Sequence, residues 1–334
     1  MKLSVYRDSS VFEELKAEWN ELLHHSTSDV IFCTWEWQST WWDVYHAGEL
    51  FVVTCRTDEG KLVGIGSWFI EIKDGERVVR TIGCVDVTDY VDIIADPAYV
   101  EEVGVHLANV LAEHRSTYDR VNLCNIPEVS PTLKIVPDKL KELGFTVDVA
   151  FQEVCPVIDL PDTWEAYLGM LDKKQRHEVR RKIRKAESEA KIEWYIVDST
   201  HNLDEEIERF LSLMRASHPE KARFLENPKN LAFFQRLAPM TFHCGWLKLS
   251  FLVIDGLPSA TYFDFDYNNR ALVYNSGLLP EENAHLSPGI VLLAYNIRHA
   301  IEAKKAVFDF LRGNEIYKYR MGGQDTTVYK LKAQ

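Results

Sequence analysis

The chain has 334 residues, 46% apolar and 27% charged, with a formal net charge of −13. This fits a globular protein of two ordinary domains with sizeable cores, and the acidic balance argues against DNA or general nucleic-acid binding, because phosphate backbones recruit basic surfaces. Met1 to Ser10 is polar, and no apolar run reaches the roughly 20 residues that span a bilayer, so a cytoplasmic protein without membrane insertion is expected. The six cysteines stand singly, which favours buried free thiols over a disulfide framework or a metal cluster, and His24-His25 lacks partners at ligand spacing.

In chain order, helices are expected over Phe12 to His25 and Trp35 to Tyr45, followed by strands over Leu50 to Arg56 and Leu62 to Ile72. Arg77 to Ile82 and Tyr90 to Ala95 are further strand candidates. A helix from Ala98 to His114 and a strand from Arg120 to Cys124 close this half. The same order recurs in the second half. Helices over Thr163 to Lys191 and Asp204 to Ala216 precede strands Trp246 to Ile254, Ser259 to Tyr267 and Ala271 to Ser276. A helix from Pro288 to Ala303, apolar at Ile290, Leu293, Ala294, Ile297, Ala300 and Ile301, then leads to a strand over Val307 to Leu311.

Helices, three or four mainly antiparallel strands, a helix and a final strand is the order of a GNAT acyltransferase. Its recurrence predicts an α+β protein of two tandem GNAT-like lobes, residues 1–150 and 151–334, each a mixed, mainly antiparallel sheet flanked by helices. A GNAT fold binds its donor's pyrophosphate where a helix follows the third or fourth strand, because the first amides of that helix lack partners and its dipole favours an anion. In the second lobe this turn is Leu286-Ser287-Pro288-Gly289-Ile290. Ser287 suits an N-cap, Pro288 the first helical position, and Gly289 a close backbone approach; a well-capped helix accounts for the same residues. The first lobe has Asp96-Pro97-Ala98 followed by Glu101-Glu102. Acids there repel phosphates, so the donor site is expected in the second lobe alone.

The run Phe308-Asp309-Phe310-Leu311-Arg312-Gly313-Asn314-Glu315-Ile316-Tyr317-Lys318-Tyr319-Arg320, with Leu286-Ser287-Pro288-Gly289, closely resembles the CelD/BcsL-like acetyltransferases of the GNAT superfamily. The Trp-rich segment Trp35 to Trp42, Asp89-Tyr90-Val91-Asp92 and Lys174 to Lys185 extend the resemblance over most of the chain. That family is associated with cellulose and exopolysaccharide biosynthesis and sits near the Fem aminoacyl transferases. The resemblance implies acyl transfer from acetyl-CoA or another acyl-CoA, without a metal, to a small-molecule or glycan-precursor acceptor. Relatives often carry a His-Arg-x-Arg-like cluster where this chain has Leu213-Met214-Arg215-Ala216-Ser217, which places the acceptor in question.

Transfer of this kind needs a base for the acceptor's proton and an acid for the leaving thiolate. Asp264 and Asp266 share one face of a strand and are candidate bases, or exposed hairpin residues. Tyr317 is a candidate acid or a packing residue. Asp309, Arg312, Glu315 and Lys318 are candidates for acceptor recognition, with a structural salt-bridge cluster as the alternative. Lys173 to Lys185 holds eight Lys or Arg residues and one acid, Glu178. Arg176 and Arg180 stack at i, i+4 beside a stripe that includes Leu171, Gln175, Val179 and Ile183. The run is a solvated face or a contact for donor phosphates, a nucleotide-linked sugar or tRNA. Asp86, Asp89, Tyr90 and Asp92 form an acidic loop that suits an amine acceptor, and Trp35, Trp37, Trp41, Trp42 and Tyr45 are core or a sugar platform. Three functions follow: an acyl-CoA-dependent transferase, a Fem-like aminoacyl transferase using tRNA, and a binding protein that kept the double fold.

Overall fold

The computed structural model describes residues 1–84 and 87–334. They form two units, Met1–Val154 with Thr326–Gln334, and Cys155–Asp325. The first unit contains β1 (Lys2–Tyr6), α1 (Ser10–His25), α2 (Trp35–Tyr45), β2 (Glu49–Arg56), β3 (Leu62–Lys73), β4 (Glu76–Thr81), β5 (Ile94–Ala95), α3 (Val100–Glu113), β6 (Arg120–Pro127) and α4 (Thr132–Glu142). Strands β1 to β4 pair antiparallel in sequence order, and β4 then pairs parallel with β6. Of the strand expected over Tyr90 to Ala95 only β5 forms.

Helix α2 starts where the Thr34 hydroxyl accepts from the Trp37 amide. Trp37, Trp41 and Trp42 are buried, and the Trp35 indole donates to the Phe12 carbonyl at 2.7 Å. These aromatics belong to the core, so the sugar-platform alternative falls for the three buried ones. Cys84 and Cys124 form a disulfide with Cα atoms 6.0 Å apart. This corrects the expectation of six free thiols. The two residues are 40 apart in sequence, and only the end of β4 beside β6 brings them together.

Strand β7 (Val147–Asp159) carries the chain into the second unit. There follow α5 (Trp164–Met170), α6 (Lys173–Glu189), β8 (Ile192–Ile196), α7 (Leu203–Ser217), α8 (Pro219–Glu226), α9 (Pro228–His243), β9 (Leu247–Ile254), β10 (Leu257–Tyr267), β11 (Arg270–Leu278), α10 (Pro288–Glu302), β12 (Val307–Asp309) and α11 (Ile316–Arg320). Their strand order is β7-β12-β11-β10-β9-β8, antiparallel except for β11 with β12. The single helix expected over Thr163 to Lys191 is broken at Leu171, which is extended (φ −70°, ψ 147°). Asp172 restarts it by accepting from the Gln175 amide at 2.9 Å. The last strand, β13 (Gln324–Ala333), pairs with β6 from Val328 to Ala333. Residues 326–334, expected in the second lobe, therefore lie in the first unit.

The core of the second unit is the apolar face of α10, with Val291, Leu293, Ala294 and Ile297 packed against Leu252, Ala260 and Val273. Helix α7 lies against β11 at Gly277, where an added Cβ would stand 2.3 Å from the Met214 nitrogen. Backbone on both sides cannot yield, so Gly277→Ala is expected to cost roughly 3 kcal/mol or more, read as a lowered urea midpoint with an unchanged m-value.

Candidate functional site

The site begins where two strands part. Strand β11 pairs with β12 only from Arg270↔Val307 to Leu272↔Asp309, yet continues to Leu278. After Asp309 the chain turns away through left-handed positions at Leu311 (φ 57°) and Gly313 (φ 111°). Asp309 is fully buried, accepting from the Arg270 guanidinium at 2.8 Å and from the Leu311 amide at 2.8 Å. The Lys318 ammonium is also buried. It donates to the carbonyls of Leu311 (3.2 Å), Arg312 (2.7 Å) and Gly313 (3.1 Å) and pairs with Glu315 at 2.9 Å. Asp309 and Lys318, expected to recognise an acceptor, are thus committed to the turn. Glu315 pairs within it, and Arg312 lends it a carbonyl.

Helix α10 begins beside the parting strands. Ser287 has left-handed backbone angles (φ 55°, ψ 55°) and makes no side-chain cap, which corrects the expected hydroxyl cap. An N-cap side chain needs extended backbone to reach back to the first turn. Here the Ser287 carbonyl accepts from Ile290 and Val291 instead, at 3.0 and 3.1 Å. Pro288 occupies the first turn, and a Cβ on Gly289 would meet only the end of Leu278, at 3.2 Å. The Tyr262 hydroxyl donates to the Gly289 carbonyl at 3.4 Å.

A cavity of about 340 Å³ opens next to this helix start, between α6, α10 and α11. Val179, Ile290 and Tyr317 give it an apolar wall, and Lys174, Lys182 and Arg320 give it three cations. Glu178 also lines it, held by Arg181 at 2.9 Å. Burial holds the Lys182 ammonium below its usual range; Glu178 opposes this, while Arg181 and Arg320 add to it. Of the expected residues, Ile290 and Tyr317 line this cavity. Arg176 and Arg180 do not, and Arg180 pairs with Glu165 at 2.6 Å. Lys174 and Lys182 belong to the basic run that the sequence offered as a phosphate contact, and Arg320 ends the Phe308 to Arg320 run, but none of the three was singled out; Lys182 follows the buried Val179 by one helical turn.

Behind the helix start lie groups that hold protons. Asp264 is buried, and one carboxyl oxygen accepts from the Asn296 amide at 3.1 Å. The Tyr274 backbone amide also acts on the carboxyl. Burial pushes the Asp264 carboxyl well above the usual range, against the opposing pull of Asn296 and Tyr274. Asp266 is held by Lys305 at 2.6 Å. Burial, aided by Glu315 and Asp264, also raises the Tyr317 phenol, which keeps its proton at neutral pH. Asp89 and Tyr90 lie in the first unit, where the buried Tyr90 ring meets Phe32 edge-on at 6.0 Å. Burial pushes neighbouring Asp92 up to about 6 although it accepts from Ser130. Asp86 lies outside the described residues. No cluster of three metal-ligating side chains and no helix long and apolar enough to cross a membrane occurs among the described residues.

Residues 173–319, which contain the cavity, α10 and the turn, match the family described as acetyltransferase (GNAT) domain. The match supports a transferase, and the fold is the tandem GNAT arrangement. No curated protein sequence matches it. Among solved structures it is similar to FemX, with TM-score 0.67 and 10% identity over 99% of this chain and 97% of that one. L-PGS from Bacillus licheniformis is similar at TM-score 0.57 and 10% identity, over 99% and 93% of the two chains. A tandem GNAT protein from the clavulanic acid biosynthesis pathway is similar at 0.52 and 12%, over 99% and 98%. At such identities these are likenesses of fold.

Two outcomes follow. The raised Asp264 acid binds a proton in the folded state that the unfolded chain has already released, so wild-type stability falls as pH rises above the ordinary carboxylate range. Urea denaturation of Asp264→Asn should show the variant gaining on wild type with rising pH, by up to about 1.4 kcal/mol per pH unit until the folded-state value is passed. Lys318→Met leaves three inward carbonyls without their donor. Its unfolding free energy should fall by roughly 3 kcal/mol.

Proposed function

We propose that this GNAT enzyme moves an acetyl or other acyl group from CoA to an amine or hydroxyl of a cell-envelope or exopolysaccharide precursor, with the donor held by the second unit. The observation that carries this reading is the cavity at the start of α10, which sets three cations beside a helix N-terminus. A donor pyrophosphate fits those residues: Lys174, Lys182 and Arg320 supply the countercharge, and the Ser287–Ile290 turn supplies the positive end of the helix. The thioester brings an activated acyl carbon. Tyr317, protonated and lining the same cavity, is positioned to give its proton to the leaving sulfur. The first unit is assigned no donor. Its corresponding helix α3 begins with Glu101 and Glu102, after Asp96 that pairs with Lys61 at 2.9 Å.

The acceptor class rests on the resemblance of Phe308 to Arg320 and of Leu286-Ser287-Pro288-Gly289 to the CelD/BcsL-like acetyltransferases. The likeness to FemX raises a Fem-like reading, in which α6 meets tRNA. Three of the cations on α6 already have carboxylate partners, Arg180 with Glu165, Arg181 with Glu178 and Lys185 with Glu189. A helix face so compensated favours a small phosphorylated donor over a polynucleotide.

Calorimetric titration with acetyl-CoA, and separately with CoA, tests the reading. Saturable binding is expected in wild type and should disappear in Gly289→Glu, whose carboxylate would stand at the helix start while its Cβ displaces only the end of Leu278. Lys182→Glu should weaken binding by roughly 10-fold or more. No binding at millimolar ligand would refute the acyl-CoA reading and direct the search to aminoacyl-tRNA.

A further inference from the structure

Of the two carboxylates that the sequence offered as bases, Asp264 is buried against Asn296 and Asp266 is paired with Lys305. On the acyl-CoA reading, some group near the parting strands must still receive the acceptor's proton. Lys221, on α8, reaches the segment of β11 that runs on after its ladder with β12 has ended. Its part-buried amine donates to the Ser276 carbonyl at 2.6 Å and meets the Ser276 hydroxyl at 3.1 Å. Ser276 pairs across the sheet with Tyr262, whose hydroxyl touches the Gly289 carbonyl at the start of α10. On its other flank, Lys221 feels the charge of Glu315, two residues before the Tyr317 of the cavity wall. Lys221 thus reaches the free stretch of β11 from α8, while Tyr317 lines the cavity from α11.

We propose that the Lys221 amine, anchored on Ser276 at the free edge of β11, is the group that takes the proton of the incoming acceptor. The inference rests on the donor reading above. The Lys221 nitrogen accepts one proton from the acceptor amine or hydroxyl as that atom bonds to the acyl carbon. The carbon–sulfur bond breaks, and the Tyr317 hydroxyl gives its proton to the departing sulfur. Lys221 then returns its proton through solvent to the Tyr317 oxygen, and both side chains regain their starting forms. Burial suits the residue to the task by pushing its ammonium down to about 8, against the opposing pull of Glu315, which Lys318 partly neutralises. A base of that strength is half deprotonated near working pH and still avid for a proton.

Trace labelling of the full chain with acetic anhydride, read by mass spectrometry across pH, measures the reactivity of this one amine. Lys221 should label with a half-point near pH 8, and saturating acetyl-CoA should suppress that labelling. If calorimetry shows acetyl-CoA bound while Lys221 labelling is unchanged, the donor reading stands and the role of Lys221 falls. If acetyl-CoA does not bind, both fall together. Thiol release from acetyl-CoA, with water as acceptor, separates catalysis from mere proximity. In wild type it should rise with pH through about 8. Lys221→Arg keeps the charge but cannot give up its proton; it should bind acetyl-CoA normally, lose that inflection and release thiol roughly 100-fold more slowly. A rate flat in pH, or an inflection retained in Lys221→Arg, overturns the proposal.

Discussion

One buried ammonium organises the working end of the second unit. Three consecutive carbonyls, of Leu311, Arg312 and Gly313, converge on Lys318, and Glu315 balances its charge. A cation enters a protein interior only when its desolvation is offset in this way, and the same ring of oxygens holds the chain in a turn that left-handed backbone angles would not otherwise favour. Asp309 fixes the base of the turn by binding both Arg270 and the Leu311 amide. Strand β12 is therefore three residues long, and β11 is left with a free edge. That edge is what Lys221 touches, and the turn is what delivers Tyr317 to the cavity.

The electrostatics of the second unit sort into two kinds. Around the start of α10 stand the basic side chains Lys174, Lys182 and Arg320, on α6 and α11. Tyr262, Asp264 and Tyr317 are buried groups, for which burial makes the charged form costly. The side chains that look most reactive in sequence are the ones most altered by burial.

Part of the second unit was legible, because β9, β10 and β11 sit between clear turns and α10 has an unbroken apolar stripe, whereas β8, α8, α9 and α11 were not expected. Ile290 and Tyr317, which line the cavity, stood out for a related reason, since both adjoin a recognisable turn. The basic run of α6 showed that charge gathers there but not which residues face inward. That depends on the break at Leu171 and Asp172, which sets the helix's rotation. Asp309 and Lys318 read as recognition residues because nothing local announces that they are buried. Lys221 carried no local signal: its importance comes from Ser276, 55 residues away. The Cys84–Cys124 pairing likewise depends on strands brought together by the fold.

Strand β13 gives the chain an order of assembly. Its residues complete the sheet of the first unit, pairing with β6, but follow the whole of the second unit in sequence. During synthesis the amino-terminal segments emerge first and must wait with the β6 edge unfilled until every residue of the second unit has been made. The unit begun first is therefore finished last, and a ribosome that stalls within the second unit leaves an open strand edge in the unit that precedes it.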